Sequence, residues 1–224
     1  MKMHWGRVAV GIGLTAGLVG GYKYINQKNI SKVETPRRDV STRVIDGDTF
    51  DMSDGTRIRL WGIDAPEYPE GCLSELAKKR LEELVLNKNI TIVNKGMDNF
   101  GRTLALVYDG KLSINQSLVT EGMAVFDEKI NAEDVDLQTM EKAAKEAEMA
   151  KRGVWSSKCS QPNPKCVIKG NYRQAGGTRV YSLPDCFNYD RIVVNPVGGD
   201  KWFCSEMEAG KAGFKKSLDC PGMK

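Results

Sequence analysis

From Ser41 onward, short runs rich in β-branched and apolar residues alternate with turn signals. These runs predict five strands, Thr42–Ile45, Thr49–Met52, Thr56–Ile63, Asn89–Asn94 and Thr103–Tyr108. Asp-Gly pairs at 46–47 and 54–55 predict tight turns between the first three strands. Apolar positions at helical spacing predict three helices, over Leu73–Leu86, Ile114–Glu121 and Asp134–Arg152. Five strands with helices between and after them are typical of a small antiparallel barrel of the OB type, a mainly β fold with some α.

The N-terminal segment follows a different pattern. Lys2 and Arg7 precede 15 uncharged residues, Val8–Tyr22, an arrangement typical of a hydrophobic helix that serves as a signal peptide or a membrane anchor over 1–23. No clear cleavage motif follows, so both interpretations stay open. Positive residues before the run favour a cytoplasmic N-terminus and an exported body. We therefore expect a secreted or membrane-anchored protein whose folded part is extracytoplasmic, joined to this segment by a polar linker, 24–41.

Composition and charge narrow the function classes. The chain has 224 residues and a net charge of +4, yet Lys and Arg fall short of Asp and Glu by 6 over 44–159 and exceed them by 4 over 160–224. An acidic body needs a bound cation or focused arginines to approach a polyanion. The only histidine is His4, so histidine-dependent nucleases, Ser-His-Asp hydrolases and Cys₂His₂ zinc fingers are excluded for the folded body.

Charged residues of both signs gather in the run V-I-D-G-D-T…R-I-R-L-W-G-I-D-A-P-E, residues 44–67. Asp48 follows a glycine turn and Asp64 ends a predicted strand, so both carboxylates are expected at one rim of the barrel. Paired hard oxygens suit Ca²⁺ or Mg²⁺. Arg59 projects from the strand between them and has the geometry for a bidentate phosphate contact. Glu67 lies after a proline and is a candidate to polarise a water.

These motifs, together with D-N-F-G-R at 98–102 and G-V-W at 153–155, resemble the staphylococcal nuclease-like (thermonuclease) family over about 42–155, within a predicted barrel domain of 42–156. The resemblance implies a five-stranded OB barrel with three helices and Ca²⁺-dependent cleavage of DNA and RNA. It implies metal ligation by Asp48, Asp64 and the Ala65 carbonyl. The catalytic residues that it implies are Arg59, Glu67 and Arg102. Asp46 and Thr49 are expected to support the metal ligands.

The sequence departs from this family after Gly122. The stretch M-A-V-F-D-E-K-I-N-A-E-D lacks the tyrosines that contact the nucleotide in the family's best-known member. Phe126 is a candidate to stack on a base, and its alternative role is in the core.

After a linker, 157–165, a second module runs over 166–224 with four cysteines and no Cys-x-x-Cys pair. The spacing disfavours a zinc ribbon, and export favours disulfides. We predict the pairs Cys166–Cys220, closing the two ends of the module, and Cys186–Cys204. By parity, Cys72 then pairs with Cys159. This small Cys-bearing module resembles an extension of some exported proteins, sometimes called a sunset domain, and its positive charge leaves open a nucleic-acid or cell-envelope polymer ligand.

Three functions are consistent with these features of the sequence. The first is a monomeric Ca²⁺-dependent endonuclease, a phosphodiesterase acting on DNA or RNA outside the cytoplasm. The second is a non-catalytic nucleic-acid-binding barrel, against which the intact set of acidic residues and arginines argues. The third is an envelope-binding protein that acts through the C-terminal module.

Overall fold

A computed structural model describes residues 36–130, 134–161 and 163–222. The predicted N-terminal hydrophobic helix, 1–23, lies outside these ranges, and so does most of the predicted linker that follows it. In the part of the chain that the structure describes, no helix combines the length and apolar character needed to cross a bilayer.

A five-stranded closed barrel forms the body of the protein. Its strands are β1 (Arg37–Val44), β2 (Thr49–Met52), β3 (Arg57–Leu60), β5 (Asn89–Met97) and β6 (Thr103–Asp109). The order is β3-β2-β1-β5-β6, and β6 returns to β3 to close the barrel. The closing pair is parallel, with Ile58 opposite Thr103, whereas the other four pairs are antiparallel. The predicted five-stranded barrel of the OB type is therefore present, but it is not antiparallel at this seam, because the helix Ser74–Val85 and β5 lie between β3 and β6 in the chain.

Strand β1 begins inside the stretch that the sequence assigned to the linker. Residues Arg37–Val40 pair with Asn89–Ile92 of β5, so the predicted linker boundary at residue 41 was wrong. The strand is hard to recognise because its side chains are mostly exposed and charged. The strand is held in the barrel by backbone pairing with β5. Arg37 also forms ion pairs with Asp39 and Asp54.

Three helices and short strand pairs surround the barrel. They are β4 (Ile63–Asp64), α1 (Ser74–Val85), β7 (Leu112–Ser113), α2 (Ile114–Glu121), β8 (Val125–Phe126), α3 (Val135–Met149) and a 3₁₀ turn at Gly153–Trp155. Helix α2 is capped by the Ser113 hydroxyl, which accepts from Gln116 N–H, and ends at Gly122 in the left-handed conformation. The interior of the barrel is filled by large apolar side chains, among them Phe50, Ile58, Leu81 and Leu106.

One buried polar side chain, Asn115, connects α2 to the barrel. Its Oδ1 accepts from Val107 N–H at 3.0 Å, and its Nδ2 donates to Trp61 O at 2.9 Å and Ala105 O at 3.1 Å. These bonds fix the two strands of the parallel seam where β3 ends, and β3 is the strand that carries Arg59.

The C-terminal module is a four-stranded sheet with its own core. It contains β9 (Ile168–Arg173), β10 (Thr178–Ser182), a 3₁₀ turn at Tyr189–Arg191, β11 (Lys201–Phe203), α4 (Glu206–Lys211) and β12 (Lys215–Lys216). The strand order is β11-β9-β10-β12. Ile168, Tyr181, Phe203, Ala209 and Phe214 form the core of the module.

All six cysteines form disulfides. The Cys72–Cys159 bridge is confirmed, but the two predicted pairs of the module were wrong. The structure pairs Cys166 with Cys204 and Cys186 with Cys220.

Strand register explains this connectivity. Phe203 lies opposite Ile168, so the residue after β11 meets the start of β9. Phe187 N–H donates to Asp219 O, so the turn after β10 meets the C-terminal end of the module. Cys186, Asp219 and Cys220 lie close enough to hold a metal. The sulfurs of Cys186 and Cys220, however, are bonded to each other. Their proximity is thus explained without zinc.

Candidate functional site

The β2–β3 hairpin brings the first carboxylate to the first arginine. Thr49 pairs with Arg59, and the carbonyl of Asp48 accepts from Leu60 N–H at 2.8 Å. Gly47, just before Asp48, lies close to two other segments, since a Cβ at that position would lie 2.7 Å from the Ala65 Cβ and 2.8 Å from the Ala77 Cβ. The D-G-D sequence is therefore a close-contact loop whose glycine seats Asp48 in the barrel wall.

Asp48 is a buried carboxylate with a full set of donors. Only 2% of the residue is exposed. Its Oδ1 accepts from Arg59 Nη1 at 2.5 Å and from Thr49 Oγ1 at 2.9 Å, and its Oδ2 accepts from Ala65 N–H at 2.8 Å. Burial raises the pKa of Asp48 to about 7, although the Arg59 charge opposes that rise. The hydrogen bonds thus compensate only part of the cost of holding a carboxylate in the interior.

Asp64 meets Asp48 through the same guanidinium. Arg59 Nη2 donates to Asp64 Oδ1 at 2.7 Å, while the Asp64 side chain is about half exposed, at 51%. Strand β4 holds Asp64 in register opposite Val125 of β8. One planar group therefore joins the two carboxylates that the sequence predicted as metal ligands, although they lie 16 positions apart in the chain.

The donor set fits a hard divalent cation. Arg59 joins the Asp48 and Asp64 carboxylates, and Asp46 lies beside Asp48, with its Oδ1 accepting from the main-chain N–H of Asp48 at 3.1 Å. Oxygen ligands of this kind suit Ca²⁺ or Mg²⁺. A cation bound beside Asp48 would oppose the rise in the pKa of this carboxyl that burial causes. Ala65 contributes its N–H to Asp48, and the role of its carbonyl as a ligand stays a prediction.

Glu67 lies just beyond these ligands, at the edge of an open pocket. Desolvation raises the pKa of Glu67 above the ordinary carboxyl value, and the charges of Asp46 and Asp64 raise it further. A carboxylate with a raised pKa, close to other acidic groups, is suited to accept a proton from water. Its assignment as general base stays a prediction.

Arg102 comes from the turn that precedes β6. Its side-chain Nε donates to Asp98 Oδ2 at 2.6 Å, and its main-chain N–H donates to Asp98 Oδ1 at 3.0 Å. The guanidinium also lies over the Phe100 ring, 5.4 Å from the ring centroid. This local packing fixes the arginine without using all five of its N–H donors.

One pocket collects the three predicted catalytic side chains. Arg59, Glu67 and Arg102 line it together with two residues that the sequence argument missed, Phe100 and Gln174. Phe100 is 84% exposed, and its place in the D-N-F-G-R motif was a signal available in the sequence. Gln174 belongs to the C-terminal module, and no local pattern marks it.

Phe126 lies elsewhere. It packs against the core of the barrel and lines a second cavity, with Asp64 and residues of the module. Of its two sequence-level interpretations, the structure favours the core, and the exposed aromatic ring at the arginine pocket is that of Phe100.

Comparisons with known proteins agree with this geometry. Residues 57–157 match the profile of the family described as staphylococcal nuclease homologue. A protein named uncharacterized endonuclease from Haemophilus influenzae is 36% identical over 45% of this chain, and the match spans 58% of that relative, less than two thirds of its length. A micrococcal nuclease from Shigella flexneri is 34% identical over 53% of this chain and 74% of its own length. A thermonuclease from Staphylococcus hyicus is 34% identical over 51% of this chain and 73% of its own. The matched residues include the hairpin arginine Arg59, the rim carboxylate Asp64 and Arg102 of the D-N-F-G-R turn, and we conclude from these relatives that the chain belongs to the staphylococcal nuclease family.

Proposed function

We propose that this protein is a Ca²⁺-dependent nuclease that hydrolyses phosphodiester bonds of DNA or RNA outside the cytoplasm. The observation that carries the proposal is the bridge from Asp48 through Arg59 to Asp64, placed beside a pocket that also holds Glu67 and Arg102. Relatives with nuclease names support the reaction class.

Each side chain has a task that its position allows. Asp48 and Asp64, with the Ala65 carbonyl, would hold the metal ion, which when bound supplies positive charge to the phosphoryl oxygens and to a water. Arg59 uses two of its N–H groups on carboxylates and retains others for a phosphate. Arg102 offers a second guanidinium from the other side of the pocket, so the two arginines stabilise the charge that grows on the phosphate.

Glu67 is the proposed base. It faces the pocket and is not engaged by either arginine in the hydrogen bonds of the described residues. A carboxylate whose pKa is raised accepts a proton from an attacking water more readily than an ordinary one. Phe100 adds an exposed ring at the same pocket, the kind of surface on which an unpaired base stacks. A single-stranded substrate is therefore favoured.

The extracytoplasmic location is supported by the cysteines. All six are paired in three disulfides, and such bonds persist in oxidising compartments. The N-terminal hydrophobic segment is proposed to export or anchor the chain. Immunodetection of the full chain in cell fractions, with and without alkaline extraction, distinguishes a secreted protein from an anchored one.

The test of the reaction is a cleavage assay of the full chain on labelled single-stranded DNA and RNA. We expect turnover with Ca²⁺ and loss of turnover in EDTA, restored by added Ca²⁺. Arg59→Ala is expected to lose on the order of 10² in rate. The matched control is Arg80→Ala on α1, whose guanidinium is held by Glu121 at 2.7 Å away from the pocket, and which should lose far less. Undiminished cleavage in EDTA contradicts the metal requirement, and substrate binding without cleavage favours a non-catalytic barrel.

A further inference from the structure

The C-terminal module contacts the segment of the barrel domain that carries Glu67. Glu67 N–H donates to Val197 O at 3.0 Å, and Cys72 N–H donates to Pro196 O at 2.9 Å. Both acceptors lie in the same loop of the module, so it holds both ends of residues 67–72 by their main chain.

Residues 70 and 71, between these two main-chain bonds, also contact the module. Arg179 Nη2 donates to Glu70 Oε1 at 2.5 Å, and Gly71 approaches the same module loop so closely that a Cβ there would lie 2.5 Å from Val197 O. The Cys72–Cys159 bridge then ties the end of the segment to the start of the linker into the module. The position of Glu67 is therefore determined by the module as well as by the barrel.

Gln174 brings the module into the pocket itself. It lies in the turn after β9 and lines the pocket with Glu67, Arg59 and Arg102. Its amide and the Glu67 carboxylate therefore border the same space. An amide donor beside a surface carboxylate restricts the rotamers of that carboxylate, and reacting groups must be held within a narrow geometry for full rate.

We propose that the C-terminal module forms one wall of the catalytic pocket and that Gln174 is a positioning residue that holds the Glu67 carboxylate toward the substrate. The inference rests on the proposed nuclease function. Gln174 acts through Glu67, so its removal changes the chemical step and leaves substrate affinity nearly intact.

The experiment compares kcat and KM for the full chain and for Gln174→Ala on single-stranded DNA with saturating Ca²⁺. We expect kcat to fall on the order of tenfold, with KM within about twofold of wild type. Thr178→Ala, an exposed position in the same β9–β10 hairpin, is the matched control and should retain wild-type kinetics. Equal melting temperatures of the three proteins exclude a loss of folded enzyme.

A double-mutant cycle separates positioning from direct contact. In a Glu67→Gln background, Gln174→Ala should cause no further loss, because the group it positions is gone. Losses that multiply, or an unchanged kcat in Gln174→Ala, overturn the inference while the proposed function stands. A wild-type chain that cleaves neither DNA nor RNA overturns the proposed function and this inference with it.

Discussion

Replacing Asn115 by alanine tests how the fold holds the strand that carries Arg59. Asn115 is fully buried, at 0% exposure, and satisfies Val107 N–H and two carbonyls. The Ala105 carbonyl keeps a second donor, Trp61 N–H at 2.8 Å, so the substitution leaves two backbone groups, Val107 N–H and Trp61 O, without these partners. Each buried group left unpaired costs about 1–3 kcal/mol. For the two groups together we therefore expect a loss of about 2–6 kcal/mol in the free energy of unfolding.

Urea denaturation followed by tryptophan fluorescence measures this loss, and a thermal scan should show a fall of roughly 10 °C. The control on the same helix is Ser117→Ala. It removes one side-chain hydrogen bond, from Ser117 Oγ to Ser113 O at 2.7 Å, which is not part of the backbone hydrogen bonding of the helix. The loss in the free energy of unfolding should therefore stay below about 1 kcal/mol. Asn115→Asp keeps the acceptor for Val107 N–H but directs a carboxylate at two carbonyl oxygens, and should be at least as damaging as alanine. An Asn115→Ala protein as stable as the serine control would refute the hydrogen-bond argument.

Three further outcomes are expected. Joint replacement of Cys72 and Cys159 by serine opens a loop with a sequence separation of 87 and should lower the free energy of unfolding by about 3–5 kcal/mol; wild-type stability in denaturant would contradict this. Arg102→Ala should reduce the cleavage rate on the order of 10² or more with the fold intact, and a near-normal rate would remove it from the mechanism. The Tyr181 hydroxyl, which donates to Glu206 at 2.7 Å, is the main cause of the lowered pKa of Glu206. Tyr181→Phe should return that pKa toward its ordinary value in an NMR titration. Because the folded pKa of Glu206 is depressed, the stability it contributes is present above the ordinary carboxyl pKa and is lost as pH falls through the folded value.

The barrel was accessible from sequence because its signals are local. Thr49–Met52 is predicted and observed with the same bounds, and so is the helix Ile114–Glu121. Both stretches combine period with turn or cap residues at their ends. Asp48, Arg59 and Asp64 likewise fall within one short motif: the β2–β3 hairpin brings Asp48 to Arg59, and Asp64 follows Arg59 by only five positions.

What the sequence did not predict depends on contacts between distant segments. The Cys166–Cys204 pair follows from the register of β11 on β9, which spacing between cysteines does not encode. Gln174 reaches the pocket only because the module packs on the segment of Glu67, over a hundred positions earlier in the chain. Arg37–Val40 enters the barrel by main-chain pairing, and its charged, exposed side chains give no apolar period to detect.

The barrel and the sheet of the module leave few strand edges for another chain to join. In the barrel, the parallel seam between β3 and β6 gives both strands a neighbour, so the closed wall offers no open edge there. The sheet of the module ends in β11 and β12, which are three and two residues long and carry Lys201, Lys215 and Lys216. Short, lysine-bearing outer strands oppose the addition of a foreign strand. A protein built this way resists edge-to-edge aggregation at both sides of the module, a useful property for a chain whose second sheet has only a small core to keep it folded.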